Sequence, residues 1–181
     1  MKSDLSTYNN SWYNPGAGVL KRVCWYVVSR LFFKTGWPVP SAMKCALLRM
    51  FGARIGKGVV IKPSVNIKYP WWLTVGNHVW IGERVWIDNL AMVTIGESVC
   101  LSQGAMLLCG NHDYTKPSFD LILGEINLEE GCWIGALALV GPGVTAGSHA
   151  VLSAGSVTSG DLEPYKIYRG NPAVVVRERK I

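Results

Sequence analysis

Apolar residues recur at every sixth position over long stretches of this chain. That period, neither the two of a strand nor the 3.6 of a helix, organises the sequence. The clearest run covers residues 134–158, where Ile134, Val140, Ala146 and Leu152 open successive blocks. Each is followed by Gly or Ser, and the fifth position of each block is Ala, Val or Ser. One such unit cannot bury its apolar residue alone, so the units must stack as a solenoid. Six residues make one flat side, and three sides make a triangular coil with the aliphatic residue inside. Glycine relieves the corner and small fifth residues let coils stack closely. The pattern predicts a parallel β-helix.

Walking the phase backwards gives Ile55, Ile61 and Ile67, then a slip of two residues to Val75, Ile81 and Ile87, and a second slip to Ile95, Leu101 and Leu107. An insertion recurring every third block predicts one corner that is widened in successive coils. An all-β sandwich would instead show period two and hairpin dipeptides, and neither dominates. The phase is lost between Leu107 and Leu128, so an inserted loop is expected at about residues 109–127.

The first fifty residues lack the hexad. Residues 1–17 are polar and read as an extended arm. Gly18 to Lys34 reads as a helix whose stripe is Leu20, Val23, Val27 and Leu31. Such a helix can cap the open end of the solenoid, the favoured reading, or lie on a membrane surface with Trp25, Tyr26, Phe32 and Phe33, and the roles can coexist. A second short helix is expected from Ser41 to Gly52. The expected organisation is therefore an arm and helical cap over 1–52, a β-helix over 53–160 and a tail over 161–181.

Composition narrows the picture. The 181 residues suffice for one domain with an appendage. Cys24, Cys45, Cys100, Cys109 and Cys132 are widely spaced, giving neither a disulfide framework nor a metal motif, and a reducing cytoplasm fits best. The polar N-terminus shows no export signal, and no uncharged run approaches a bilayer span. The net charge of +6 comes from scattered basic residues, which argues against nucleic acid and suits phosphorylated small molecules or an anionic membrane face.

His112 follows Cys109-Gly-Asn at the start of the inserted loop. A regular scaffold that breaks its pattern once, and there places an imidazole, makes that residue the leading candidate for a general base; an exposed loop histidine is the alternative. His78 and His149 fall at the fourth hexad position, where side chains face solvent. With the three histidines 34 and 37 residues apart, a shared zinc site fits poorly and no metal is expected. Cys109 reads as a small wall residue, not a nucleophile.

The hexad blocks, Asn111-His-Asp-Tyr114, the Trp133-Ile-Gly block and Arg169-Gly-Asn-Pro-Ala together resemble the hexapeptide-repeat acyltransferases. Residues 47–56, 60–65 and 69–71 resemble the colanic-acid-type exopolysaccharide O-acetyltransferases within them, and the similarity runs from about residue 18 to the C-terminus. The resemblance implies a left-handed β-helix, a homotrimer with sites between subunits, and acetyl transfer from acetyl-CoA to a sugar hydroxyl. It gives His112 the role of base, with a backbone N–H to hold the tetrahedral oxyanion. For the acetyl-CoA co-substrate it implies Trp133, Ala136, Ala154, Ser159 and Arg177. Plain repeat packing is the alternative for the two alanines, and a solvated tail the alternative for Arg177. Ser159-Gly160 and Val174 depart from the family pattern, so phosphate contacts are expected to be fewer or placed differently. The acceptor strand of the small-sugar enzymes has no clear match, leaving Trp86, Asp88 and Asn89 as acceptor candidates and pointing to a larger glycan or lipid-linked acceptor. A non-catalytic trimeric scaffold, or acetylation of an antibiotic or amino-acid hydroxyl, are the other readings of this fold.

Overall fold

The computed structural model describes residues 2–181; Met1, the first residue of the expected arm, lies outside them. From Arg54 onward the chain winds into a parallel β-solenoid of about six turns with three flat faces. Strands Arg54–Ile55, Leu73–Val75, Val93–Ile95, Ile126–Leu128 and Thr145–Ala146 stack as the first face. The register on the other faces follows the hexad: Ile61 over Ile81 over Leu101 over Ile134 over Leu152 on the second, Ile67 over Ile87 over Leu107 over Val140 on the third. These columns and the fifth-position residues fill one continuous core. Each buried Ile or Leu contributes about 1.5–3 kcal/mol of apolar transfer.

The corners refine the role assigned to glycine. Left-handed backbone occurs at the fourth position of the hexad, with φ between +55° and +80° at Gly58, Ser64, His78, Arg84, Ser98, Gly104, Gly131, Leu137, Gly143, His149 and Gly155. The second-position glycine serves a different need. A Cβ on Gly76 would lie 2.7 Å from the Glu97 nitrogen, and one on Gly135 2.5 Å from the Ala154 nitrogen, so it permits coils to approach. His78 is exposed, and His149 stacks on Tyr165 at 4.9 Å, so both are corner residues.

The third corner is the widened one. Asn89 is buried there: its carbonyl accepts from the Tyr69 N–H at 3.0 Å, and its amide donates to the Tyr69 and Trp72 carbonyls at 2.6 and 3.0 Å. The inserted loop leaves from the same corner as an antiparallel hairpin, Gly110–His112 against Leu121–Leu123.

Two helices close the N-terminal end. Helix α1 spans Val19–Val28 and continues through a π turn over Ser29–Phe33; helix α2 spans Ser41–Met50. Helix α2 is the cap. Backbone groups of the first coil that face the open end receive its side chains: buried Lys44 donates to the Ile61 and Lys62 carbonyls, and Arg49 to those of Ile55 and Gly56. Helix α1 packs by Trp25, Ser29 and Phe33, with the Trp25 indole donating to the Ile67 carbonyl. The expected stripe therefore points the other way: Leu20, Val23, Val27 and Leu31 are exposed. Past residue 160 the solenoid register continues through Leu162 and Tyr168, and a hairpin of Lys166–Gly170 and Ala173–Glu178 extends the second face. The tail expected over 161–181 is thus built into the last coil.

Candidate active site

His112 sits opposite Leu121 on the inserted hairpin. Its Nδ1 lies 2.9 Å from the Phe119 carbonyl oxygen. A carbonyl only accepts, so Nδ1 carries the proton and Nε2 is left as the basic nitrogen. The imidazole stacks on the Phe119 ring, with centroids 4.7 Å apart and planes 12° apart, while Tyr8 approaches at 5.8 Å. Phe119 is held at φ +54°, a strained backbone state for a bulky residue, and that state aims its carbonyl at the histidine. The hairpin tip is braced by Lys116 between Asp113 and Asp120, the latter at 3.0 Å.

A cavity of about 560 Å³ opens beside His112, walled by Tyr8, Asn10, Tyr13, Lys68, Asp88 and Leu90. The N-terminal arm supplies three of these. It is fastened by the Asp4 N–H to the Pro117 carbonyl at 2.9 Å, by the Tyr13 hydroxyl to the Leu90 carbonyl at 2.9 Å, and by the Trp71 and Trp72 indoles to the Pro15 carbonyl. Sequence reasoning read the arm as merely extended and missed this contribution, as it missed Phe119; neither carries a local motif. Of the acceptor candidates, Asp88 reaches this cavity, paired with Lys68 at 3.0 Å. Trp86 lines an adjoining cavity. Asn89 requires correction: its polar atoms are consumed by the backbone of the corner, so it shapes the wall from behind and presents nothing to a ligand.

The expected donor residues gather elsewhere, on the second face and the corner after it. A groove of about 590 Å³ is lined by Trp133, Ala136, Ala154 and Arg177, together with Ser102 and Arg179. The Trp133 indole donates to the Ser102 hydroxyl at 2.9 Å, and Arg179 is tied to the Gly131 and His149 carbonyls at 2.8 and 3.1 Å. Small residues at 136 and 154 leave the coil edge open, and Arg177 supplies charge at the rim. A groove of this size suits an extended ligand with an anionic end. Ser159 is not brought together with them; it is exposed at the third corner beside Gly141.

Cys109 is fully buried under the third corner, and burial pushes its thiol up to about 11, so at neutral pH it is a protonated wall residue. Among the described residues no group of three or more His, Cys, Asp or Glu is arranged to hold a metal ion.

No family model matches the chain. It is 39% identical over 176 residues, 97% of each chain, to a protein of Escherichia coli (strain K12) named "Putative colanic acid biosynthesis acetyltransferase WcaF". It is 26% identical to the galactoside O-acetyltransferase of the same organism, over 81% of this chain and 73% of that one. Among solved structures, the hexapeptide-repeat-containing acetyltransferase of Vibrio cholerae superposes with a TM-score of 0.78 at 25% identity, covering 91% of this chain and 96% of that one. A structure of that acetyltransferase complexed with acetyl-CoA superposes with a TM-score of 0.80 at 24% identity, covering 92% of each chain.

Proposed function

The chain belongs to the hexapeptide-repeat acetyltransferases, and from that premise we propose that it moves an acetyl group from acetyl-CoA to a sugar hydroxyl of an exopolysaccharide intermediate, with His112 as general base. The observation that carries this reading is the Phe119 carbonyl on Nδ1, which leaves Nε2 free to take a proton. In the reaction the acceptor hydroxyl gives its proton to Nε2 as its oxygen attacks the thioester carbonyl. The tetrahedral intermediate then expels the CoA sulfur as the C–S bond breaks. The proton held by His112 passes to that sulfur, leaving an O-acetyl sugar, free thiol and an unchanged histidine. The donor occupies the groove of Trp133, Ala136, Ala154 and Arg177, without Ser159; Asp88 and Trp86 meet the acceptor.

The His112 cavity and the donor groove share no residue and lie on different faces of one chain. A second copy would bring them together, and this separation supports the homotrimer we propose. The outer columns agree. The first face shows solvent Arg54, Thr74, Thr94, Asn127 and Thr145. The second shows Trp80, Trp133 and Ile167, the third Trp86, Met106 and Leu139. Packing the second face of one copy on the third face of the next is a heterologous contact, and three such contacts close a ring.

No helix among the described residues is long and apolar enough to cross a membrane. We place the acceptor at a membrane surface nonetheless, with α1 lying on it. Between Asp4 and Glu83 the chain has no acidic residue and ten lysines and arginines, a concentration of charge that the scattered-residue reading overlooked. The exposed stripe of α1 rises from this basic end, and the pairing suits anionic lipid.

Calorimetric titration of acetyl-CoA into wild type and His112→Ala, with thioester loss followed on adding a glycan pool, tests the assignment. Binding by both, with turnover reduced by a factor on the order of 10² to 10⁴ in the variant, is expected. Failure of the folded wild type to bind acetyl-CoA would sink the enzyme reading in favour of a scaffold.

A further inference from the structure

Beside the His112 cavity lies a second one of about 390 Å³, roofed by α1 and its π turn. The two share Arg22, Lys68, Tyr69 and Asp88 as common wall. Whatever carries a sugar hydroxyl to His112 has this second chamber available for the rest of its body.

The chamber is built for negative charge. Arg22, Lys34 and Lys68 line it against one carboxylate, Asp88, which Lys68 already pairs at 3.0 Å. Two buried polar atoms in its wall have no partner: the Arg22 Nε and the Ser29 hydroxyl, on a residue only 4% exposed. A guanidinium N–H can only donate, and a buried hydroxyl needs an acceptor for its hydrogen. A buried donor left unpaired destabilises the fold, so both call for an acceptor that the chain does not provide. Desolvation first, and then the nearby charges of Arg30 and Lys68, hold the Lys34 ammonium below its ordinary range. The π turn falls at Ser29: the Lys34 N–H bonds to the Ser29 carbonyl at 2.9 Å, widening the helix where the hydroxyl enters the chamber wall.

Resting on the acetyltransferase reading above, we propose that this chamber is a phosphoryl subsite and that the acceptor is a sugar carried on a phosphate or diphosphate. Arg22, Ser29 and Lys34 grip the phosphoryl oxygens while the sugar reaches His112. Two sources share that chemistry: a sugar diphosphate on an isoprenoid, whose chain would leave along the exposed stripe of α1, and a nucleotide sugar.

The test is binding of inorganic diphosphate to the full chain, read by calorimetry in wild type, Arg22→Gln, Lys34→Gln and Arg177→Gln. Lys34 is exposed, so its substitution leaves the fold intact even if that of Arg22 does not. Because a charge-assisted contact is lost, each of the first two variants is expected to weaken binding about tenfold or more. Arg177→Gln, in the donor groove, is expected to leave diphosphate binding unchanged and to weaken acetyl-CoA instead. Diphosphate binding that survives Lys34→Gln undiminished, or that only Arg177→Gln reduces, overturns the subsite. Acetyl-CoA binding by the same wild-type sample reports separately on the enzyme reading. Farnesyl diphosphate and UDP-glucose as competitors distinguish the sources: stronger displacement by the first assigns the isoprenoid carrier, by the second the nucleotide sugar. Displacement by neither contradicts the proposal.

Discussion

Phe119 gives His112 both a ring to stack on and a carbonyl to bond, at the expense of a left-handed backbone. Phe119→Gly keeps the carbonyl, removes the stack and frees the φ angle. Because the loosened imidazole spends less time in position, turnover is expected to fall by about ten- to a hundredfold with acetyl-CoA affinity unaltered, as steady-state kinetics and calorimetry would read. A variant as fast as wild type would mean that the ring is held by something else. Cys109 and Cys132 illustrate a residue-scale effect on stability. Burial holds both thiols up at about 11 against an ordinary 9.0. The folded state keeps protons there that the unfolded state loses, so their stabilising contribution is complete below pH 9 and disappears as the pH rises toward 11. Melting curves between pH 8 and 10.5 should therefore show a loss that Cys109→Ala makes shallower; an identical slope in the variant would contradict it. At this scale a broken repeat marks His112 and a family motif marks the expected donor residues, of which the structure gathers Trp133, Ala136, Ala154 and Arg177 along one groove and leaves Ser159 apart. Phe119 and Asn89 were not legible: one acts through its backbone, and the other looks polar and available until its burial is seen.

Helix α1 was legible as an amphipathic element but with the wrong face assigned to packing. A stripe of Leu20, Val23, Val27 and Leu31 has the helical spacing, yet the bulk that fits against Phe51 and the first coil is Trp25 and Phe33, with Ser29 between them. Volume and an indole hydrogen bond outweighed periodicity. The cap over the open end falls instead to α2, whose Lys44 and Arg49 supply donors that an apolar helix could not. The freed stripe is available to lipid. Wild type is expected to sediment with phosphatidylglycerol vesicles in a salt-sensitive manner, and a Val23→Asp, Val27→Asp variant to lose that binding while keeping its melting temperature. Equal sedimentation of the two would rule out α1 as the contact. The inserted hairpin and the widened corner were predicted from the count alone, since each departs from a strict six.

Across the whole molecule the hexad determined the architecture because every coil repeats one geometric requirement: an aliphatic residue inward, a small residue behind it, and close approach at the corner. What the repeat could not convey is which outer faces are apolar and where the His112 cavity and the Trp133 groove fall relative to each other. Those emerge only when Trp80, Trp133 and Trp86 are seen on adjacent faces and His112 on a corner away from the donor groove. We propose that one subunit's His112 works on acetyl-CoA held by its neighbour. The most direct measurement is complementation: coexpress His112→Ala with Trp133→Ala, each inactive alone, and follow thioester loss with the glycan pool. In randomly mixed rings about one site in four joins an intact histidine to an intact groove across a heterologous interface, so activity near a quarter of wild type is predicted. Mixed oligomers with no more activity than the two variants apart would contradict it.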